Sequence, residues 1–348
     1  MKTATPSPSA SISTQDHVHM QQALRLGLEG LGRVAPNPSV GAVVVDNNEV
    51  VGLGRTSDGG RPHAEVIALQ IAGERARGAT LYVTLEPCAH EGKSPPCSLA
   101  IIKAGIARVV VGCDDPFHAV NGRGIQQLQD AAIQVDRVGG ELAGQCAQSH
   151  AGFFSTIQRK RPWVTLKIAS SADGFIAPED GIQQWITSPA SRHHGHLLRY
   201  RHDAILTGIG TALADDPSLT CRLPGLEAHS PRRILLDRQN RLPADAKLLT
   251  DDGPALWHIT EDIALEKLLE NFAAQGITRL LVEAGNRLNT AFLQAKLVDE
   301  IYWYRAPVHL RKGLAAYDGE YGMKAIRSKP IRGDQLTVFG DFSAQILQ

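Results

Sequence analysis

The sequence predicts a two-domain α/β protein, and three observations lead there. At 348 residues the chain exceeds one average core and suits two domains. Apolar strand-like runs alternate with helical stretches along nearly all of it, the pattern of sheets covered by helices. A charged run ending in proline, QRKRP (158–162), separates two such series. The division expected is a disordered lead-in over 1–16, a first domain over 17–158 and a second over 159–348.

The lead-in, MKTATPSPSASISTQ, lacks the apolar core of a secretory signal. Met20, Ala23, Leu24, Leu28 and Leu31 then recur at helical spacing, so 17–31 reads as an amphipathic helix. PNPSVGAVVVD (36–46) is a turn and an apolar strand. Asn47-Asn48 makes a plausible hairpin turn into VVGLG, because asparagine tolerates positive φ. HAEVIALQIAGERA (63–76) is the next helix and ATLYVTL (79–85) a buried strand. A helix over 97–104 stops at Gly105. The strand ARVVVG (107–112), a helix near 123–132 and the short strand IQVDRV (133–138) complete the first series. The second contains the strands WVTLKIASS (163–171), AILTGIGTALADD (204–216), RRILLDR (232–238), ITRLLVEAG (277–285) and DEIYWYRAP (299–307), alternating with helical stretches such as LEKLLENFAAQG (265–276).

Composition excludes several classes. Thirty-six basic and thirty-six acidic residues give zero formal charge, so no broad field favours a polyanion and nucleic acid is a poor partner. Any substrate phosphate must be met by local arginines or lysines. Five cysteines, odd in number and irregularly spaced, argue against a disulfide framework. Cys113, Cys146 and Cys221 read as buried small apolar residues. No apolar run approaches the ~20 residues of a membrane span. A cytoplasmic protein is expected.

The chemistry concentrates between His63 and Cys97. His63, Cys88 and Cys97 are residue types that ligate zinc, and three protein ligands leave a fourth tetrahedral position for water, the pattern of a catalytic site. Glu65, two residues after His63, lies beside the metal without having to bind it and is placed to shuttle protons. Pro87-Cys88 and Pro96-Cys97 each read as a helix start, where the dipole favours a thiolate. H-x-E followed by P-C and a second cysteine is the signature of zinc nucleobase deaminases, here with a longer spacing across AHEGKSPP. His90 is either a substrate contact or a fourth ligand that would make the site structural.

In the second half, Gly208 and Gly210 interrupt a strand end, where a side chain would block a ligand's approach to the backbone. Gly285 follows the strand LLVEA and opens NRLNTAFLQAK; strand, glycine turn and helix N-terminus together suit an anion. The dinucleotide fingerprint G-x-G-x-x-G is absent. Arg199 and Arg222 flank ADDPSLT and are candidates for a substrate phosphate or, more plainly, for exposed ion pairs. Lys167, inside a strand, either reaches a cofactor or faces solvent at an edge. Trp185 reads more readily as core than as a cofactor contact.

In order and combination these motifs resemble the bifunctional deaminase/reductase family of riboflavin biosynthesis over nearly the whole chain after residue 17. The motifs carrying the resemblance are PNPSVGAVVV, HAEVIAL, EPCAHEGKSPPC and NGRG, then KIASSADG, QWITSP, LLRYRHDAILTGIGTALADDPSLTCR, LLDRQNR and LVEAGNRLNTAFLQAKLVDEI. The resemblance implies a cytidine-deaminase-like N-terminal domain and a dihydrofolate-reductase-like C-terminal domain. It implies deamination of a phosphoribosylated diaminopyrimidinone, then reduction of the ribosyl C1′ by NADPH. Carried over by motif, His63, Cys88 and Cys97 bind one zinc per chain and Glu65 shuttles protons. Asn37, His90 and Lys93 are substrate contacts of the first site. Ala169, Trp185, Thr211, Asp215, Arg238 and the turn Gly285, Asn286, Arg287, Leu288, Asn289, Thr290 and Ala291 are NADP contacts. Gln183, Arg199, Leu219, Arg222 and Glu283 are substrate contacts of the second site. Small phosphorylated pyrimidines are the expected partners, with no nucleic acid or membrane, in a homo-oligomer. Phe117-His118 stands where the family usually shows Asn-Pro, and VHLRKG replaces its K-L-L-G-G-type run. A rival reading is a zinc deaminase of another base with an inactive or repurposed reductase-like half.

Overall fold

The computed structural model describes residues 12–89, 95–117, 120, 122–179 and 185–340. The chain separates into two compact units, one of Met1–Gly30 and Asn37–Gln158, the other of Leu31–Pro36 and Arg159–Gln348.

The first unit contains helix α1 (Thr14–Glu29), strands β1 (Gly41–Asp46) and β2 (Glu49–Arg55), α2 (Ala64–Ala72), β3 (Thr80–Val83), α3 (Cys97–Ala104), β4 (Arg108–Val111), α4 (Arg123–Asp130), β5 (Gln134–Arg137), α5 (Gly140–Ser149) and α6 (Ala151–Arg159). Its five strands run in the order β2-β1-β3-β4-β5. The β1–β2 hairpin turns at Asn47 and Asn48, both at positive φ. The β3–β4 and β4–β5 pairs are parallel. Met20, Ala23, Val43, Tyr82 and Val110 form part of the core beneath α1.

Helix α1 begins inside the stretch 1–16 expected as a disordered lead-in, of which residues 1–11 lie outside the described ones. Ser13 caps α1 in a reciprocal box with Asp16, which satisfies backbone donors at the helix start. Asp16 is buried and accepts from the Tyr82 hydroxyl at 2.7 Å and from Arg108 Nη1 at 2.7 Å. The expected start at 17 passes over the local Ser13-x-x-Asp16 capping signal, and the tertiary pairing of Asp16 with Arg108 and Tyr82 then anchors the start.

Two glycines place α2 against β2. A Cβ at Gly52 would lie 2.1 Å from the Ala68 carbonyl oxygen, and one at Gly54 would lie 2.2 Å from that of Ala64. The helix therefore rests directly on strand backbone, with His63 and Glu65 at its head.

The second unit contains β6 (Trp163–Ser170), β7 (Phe175–Pro178), α7 (Pro189–Tyr200), β8 (Ala204–Gly208), α8 (Ile209–Asp215), β9 (Arg232–Leu236), α9 (Lys247–Thr250), β10 (Leu256–Ile259), α10 (Leu265–Ala274), β11 (Arg279–Val282), α11 (Asn286–Gln294), β12 (Glu300–Arg305), β13 (Gly313–Ala315), β14 (Ala325–Ile331) and β15 (Asp334–Gly340). Eight strands run in the order β10-β9-β8-β11-β6-β12-β15-β14. The first six are mutually parallel, and β15 and β14 close the sheet antiparallel. Apolar residues cover both faces of the parallel part, as helical crossovers require. Leu166, Leu206, Val282 and Phe292 share one core cluster, while Leu198, Ile205, Leu281 and Tyr304 share another. The rim strand β14 is exposed almost throughout. Among the described residues, no helix is long and apolar enough to cross a membrane.

Candidate functional site

His63 caps α2, Glu65 lies in its first turn, and Cys97 is the first residue of α3. Cys88 sits in the loop after β3. The proposed helix start at Pro87-Cys88 is thus corrected: Cys88 is not at a helix N-terminus, and a different set of donors holds its sulfur. His63 Nδ1 lies 3.3 Å from Cys97 Sγ and 3.7 Å from Cys88 Sγ, and the Cys97 N–H donates to Cys88 Sγ at 3.3 Å.

The electrostatics follow from that crowding. The thiol hydrogen bond from Cys97 pulls Cys88 down to about 4 against the effect of burial, with His63 helping. Cys97 is pushed far up, because losing its proton would place a second thiolate against the first. His63 is raised, chiefly by its bond to Cys88. Glu65 is only 4% exposed; burial, then the Cys88 thiolate, pushes it up to about 7.

One imidazole nitrogen and two sulfurs lie within 4.8 Å of one another, a donor set suited to a borderline-soft cation such as zinc. A dication would favour both thiolates together. Asn37 donates to the Gly60 carbonyl at 2.7 Å, tying it to the turn that leads into His63. His90 and Lys93 lie outside the described residues.

The second site forms at the C-terminal ends of the parallel strands, where open α/β sheets take ligands. Gly285 caps α11, and a Cβ there would meet Thr211 Oγ1 at 3.5 Å; one at Gly208 would meet Leu288 at 3.5 Å. Thr211, Leu288 and the two glycine turns are therefore neighbours, around a helix N-terminus that suits a pyrophosphate. Ala169 pairs with Tyr304 in the adjoining strands. Asn286 Nδ2 donates to Asp318 at 2.9 Å, Asn289 Nδ2 donates to the Ala316 carbonyl at 2.9 Å, and Thr290 Oγ1 accepts from the Asp318 N–H at 2.8 Å. The segment after β13 thus lies along this helix. Arg287 is exposed and Ala291 half-buried.

Arg199 Nε and Nη2 donate to the two oxygens of Glu283 at 2.8 and 2.9 Å, and Arg199 Nη1 donates to the Thr220 carbonyl at 3.0 Å. Lys167 Nζ stands 3.6 Å from the same carboxylate. Burial would raise Glu283, but Arg199 and Lys167 outweigh it and hold the carboxyl well below its usual range. Lys167 also lies within electrostatic reach of Asp215. Strand β6 is interior to the sheet, so the edge explanation for Lys167 is excluded.

Other residues fall less simply. Trp185 is 73% exposed with the Arg192 guanidinium 4.7 Å from its ring centre, not core as its residue type suggested. Leu219 is 2% exposed and packs its side chain into the core at a positive φ of 55°. Arg222 is exposed, its N–H donating to His196 Nδ1 at 3.3 Å. Arg238 pairs with Asp262 at 3.0 Å on the surface. Gln183 lies outside the described residues. Lys167 is missing from the residues matched by motif; its signal was a charge inside an apolar strand.

Residues 13–113 match the model of the cytidine and deoxycytidylate deaminase zinc-binding region, and residues 162–328 match the RibD C-terminal domain. The riboflavin biosynthesis protein RibD of Aquifex aeolicus is 39% identical over 352 residues, covering 93% of this chain and 98% of that one. The Escherichia coli RibD is 40% identical over 324 residues, covering 84% and 88%. The chain belongs to the RibD family. Two solved structures agree over nearly the full length. Acinetobacter baumannii RibD superposes with a TM-score of 0.82 at 38% identity, covering 93% of this chain and 98% of that one. A Thermotoga maritima diaminohydroxyphosphoribosylaminopyrimidine deaminase/5-amino-6-(5-phosphoribosylamino)uracil reductase gives 0.86 at 32% identity, covering 94% and 98%. As in other RibD proteins, a deaminase domain and a reductase domain share one chain, and the two matched regions fit zinc and NADPH as cofactors.

Proposed function

We propose that the chain catalyses two successive steps of riboflavin biosynthesis on one phosphorylated pyrimidine. The first is hydrolytic removal of the 2-amino group of 2,5-diamino-6-(5-phosphoribosylamino)pyrimidin-4-one. The second is NADPH-dependent reduction of the ribosyl group to ribityl. The observation that carries this reading is the buried carboxylate of Glu65 beside the His63, Cys88, Cys97 trio, in a chain that also holds the Arg199–Glu283–Lys167 cluster.

His63, Cys88 and Cys97 would hold zinc, which when bound supplies Lewis-acid activation of water near neutral pH. Glu65 takes a proton from the attacking water and returns one to the departing amine, so a C–N bond breaks, a carbonyl forms and ammonia leaves. Burial raises the Glu65 carboxyl, which favours its taking and returning a proton. Asn37, His90 and Lys93 bind the pyrimidine.

In the second unit NADPH, when bound, would supply a hydride to the ribosyl C1′; the bond from C1′ to the ring oxygen breaks, and that oxygen takes a proton to become a hydroxyl of the ribityl chain. The turn from Gly285 to Ala291 receives the cofactor's pyrophosphate, with Ala169, Trp185, Thr211, Asp215 and Arg238 completing its contacts. Glu283 stays ionised and offers an acceptor to a substrate N–H or O–H, while Arg222 meets the phosphate. Gln183, Arg199 and Leu219 complete the substrate contacts. The protein works in the cytoplasm and assembles with copies of itself, readings to be checked by cell fractionation and sedimentation velocity.

The deciding experiment incubates the protein with the diaminopyrimidinone phosphate, with and without NADPH, and identifies products by mass. Ammonia and the deaminated compound are expected without NADPH, and the ribityl compound with it. Ammonia release with no NADPH oxidation would favour the rival deaminase reading.

A further inference from the structure

We propose that Glu86 is a positioning residue that latches α4 onto the metal loop and so fixes Cys88. This rests on the zinc-deaminase reading of that loop. Glu86 is 3% exposed, two residues before Cys88. Its Oε1 accepts from the Gly124 and Ile125 N–H groups at 3.0 and 3.3 Å, and its Oε2 accepts from the Gly122 N–H at 2.9 Å. The N–H of Asp115 points at the same oxygen from 3.5 Å. The Gly122, Gly124 and Ile125 donors lie at the start of α4, where helical N–H groups lack partners of their own. A buried carboxylate there satisfies several at once and meets the positive end of the helix dipole.

A second contact keeps the two pieces in register. A Cβ at Gly124 would lie 1.9 Å from the Pro87 carbonyl oxygen, so α4 touches the metal loop backbone to backbone, one residue before Cys88. A third lies on the far side of Cys88: Gln127 Nε2 donates to the Ala89 carbonyl at 3.4 Å, and Gln127 Oε1 accepts from Ser98 Oγ at 2.5 Å. Ser98 in turn donates its N–H to the Cys88 carbonyl at 3.2 Å. Cys88, which has no helix of its own, is thus bracketed at 86–87 and at 89 by one face of α4. Glu86 touches no ligand atom; it acts through the backbone it holds. Groups that orient metal ligands commonly matter about 10–100-fold in metal affinity or activity when removed.

The test measures zinc release to a strong chelator, alongside deamination and reduction. Glu86→Gln keeps the size but turns an amide N–H toward backbone donors. It should release zinc at least about tenfold faster and lower the deamination rate by a similar factor. Reduction of the already deaminated compound, which reports on the second unit, should stay within about twofold of wild type. Gly124→Ala leaves the carboxylate untouched and pries α4 from Pro87, so it should speed zinc release too; it decides the matter if Glu86→Gln does not fold. A folded Glu86→Gln with wild-type zinc release and deamination would overturn the proposal. So would loss of deamination in Glu86→Gln with zinc release unchanged in both variants, because Glu86 would then act on substrate directly. Wild-type protein that binds zinc but releases no ammonia would instead count against the deaminase reading and leave the zinc-release comparison standing.

Discussion

Arg199 and Glu283 meet through two parallel hydrogen bonds of 2.8 and 2.9 Å, each side chain no more than 13% exposed. A bidentate fork of this kind specifies geometry as well as charge. Arg199→Ala should abolish reduction of the deaminated compound while ammonia release from the diaminopyrimidinone continues. Arg199→Lys should fail as well, since an ammonium cannot reproduce the fork. Stranding one partner of a buried pair costs on the order of 3–5 kcal/mol, and Lys167 should lessen that for Glu283. NADPH oxidation and ammonia assays on the same preparations check this; a reductase-active Arg199→Ala would remove the pair from the site.

Glu65→Gln keeps size and hydrogen bonding but cannot take a proton. Deamination should fall by about 10²–10⁴, zinc content should stay at one per chain, and NADPH should still be consumed with the deaminated compound. Loss of that second activity in a folded variant would replace two sites with one shared site.

Metal content should follow the trio alone. Cys88→Ser and Cys97→Ser should lose zinc, whereas Cys113→Ala and Cys221→Ala should retain it. Elemental analysis of purified protein decides, and full zinc in both serine variants would sink the ligand assignment.

Cofactor choice should depend on the LLDRQNR turn. Arg238→Ala and Arg241→Ala are expected to raise the KM for NADPH and spare that for NADH, because a 2′-phosphate needs a cation. Arg238 must first leave Asp262, a surface pair worth little. Equal use of both cofactors by the wild type would remove the idea.

The second unit should lose stability on mild acidification. His202 is buried, its Nδ1 2.6 Å from the Leu198 carbonyl and its Nε2 2.8 Å from Thr165 Oγ1, and burial holds it down to about 3. His194 and His196 are likewise held near 4, by burial first and then by neighbouring cations. In the unfolded chain a histidine takes its proton near 6.5. Between about 6.5 and 5 the unfolded state therefore binds more protons, and stability falls with pH by up to about 1.4 kcal/mol per unit for each group. All four tryptophans, Trp163, Trp185, Trp257 and Trp303, lie in this unit, so their fluorescence in urea reports on it alone. His202→Gln should flatten the slope; an unchanged slope would exonerate His202.

What the sequence made legible was what local chemistry encodes. His63, Glu65 and Cys97 belong to helix starts, and periodicity and prolines mark those. The parallel strands of the second unit read as apolar runs because both faces are buried. Long-range pairing was hidden. Nothing near Asp16 announces Arg108 and Tyr82, although its Ser13-x-x-Asp16 pattern is a local sign of the helix start. Nothing near Lys167 announces Glu283, so a lysine inside a strand stayed ambiguous. Residue type alone makes Trp185 a core tryptophan, whereas the motif match makes it an NADP contact; it lies on the surface under Arg192. Cys88 was read onto a helix from the proline before it, although its loop is held from α4, through a glutamate whose partners are all backbone.

The rim strand β14 bears on how a sheet edge avoids unplanned pairing in a crowded solution. A bare sheet edge invites another chain to add to it, and a protein of zero formal charge has no overall repulsion to prevent this. Here the edge carries Arg327, Lys329 and Pro330 in seven residues that face water almost throughout. Two such edges meeting antiparallel would set cation against cation, and the proline offers no N–H to bond. These three side chains guard one edge of the sheet against strand addition, and neutralising Arg327 and Lys329 together should turn a quiet rim into a sticky one.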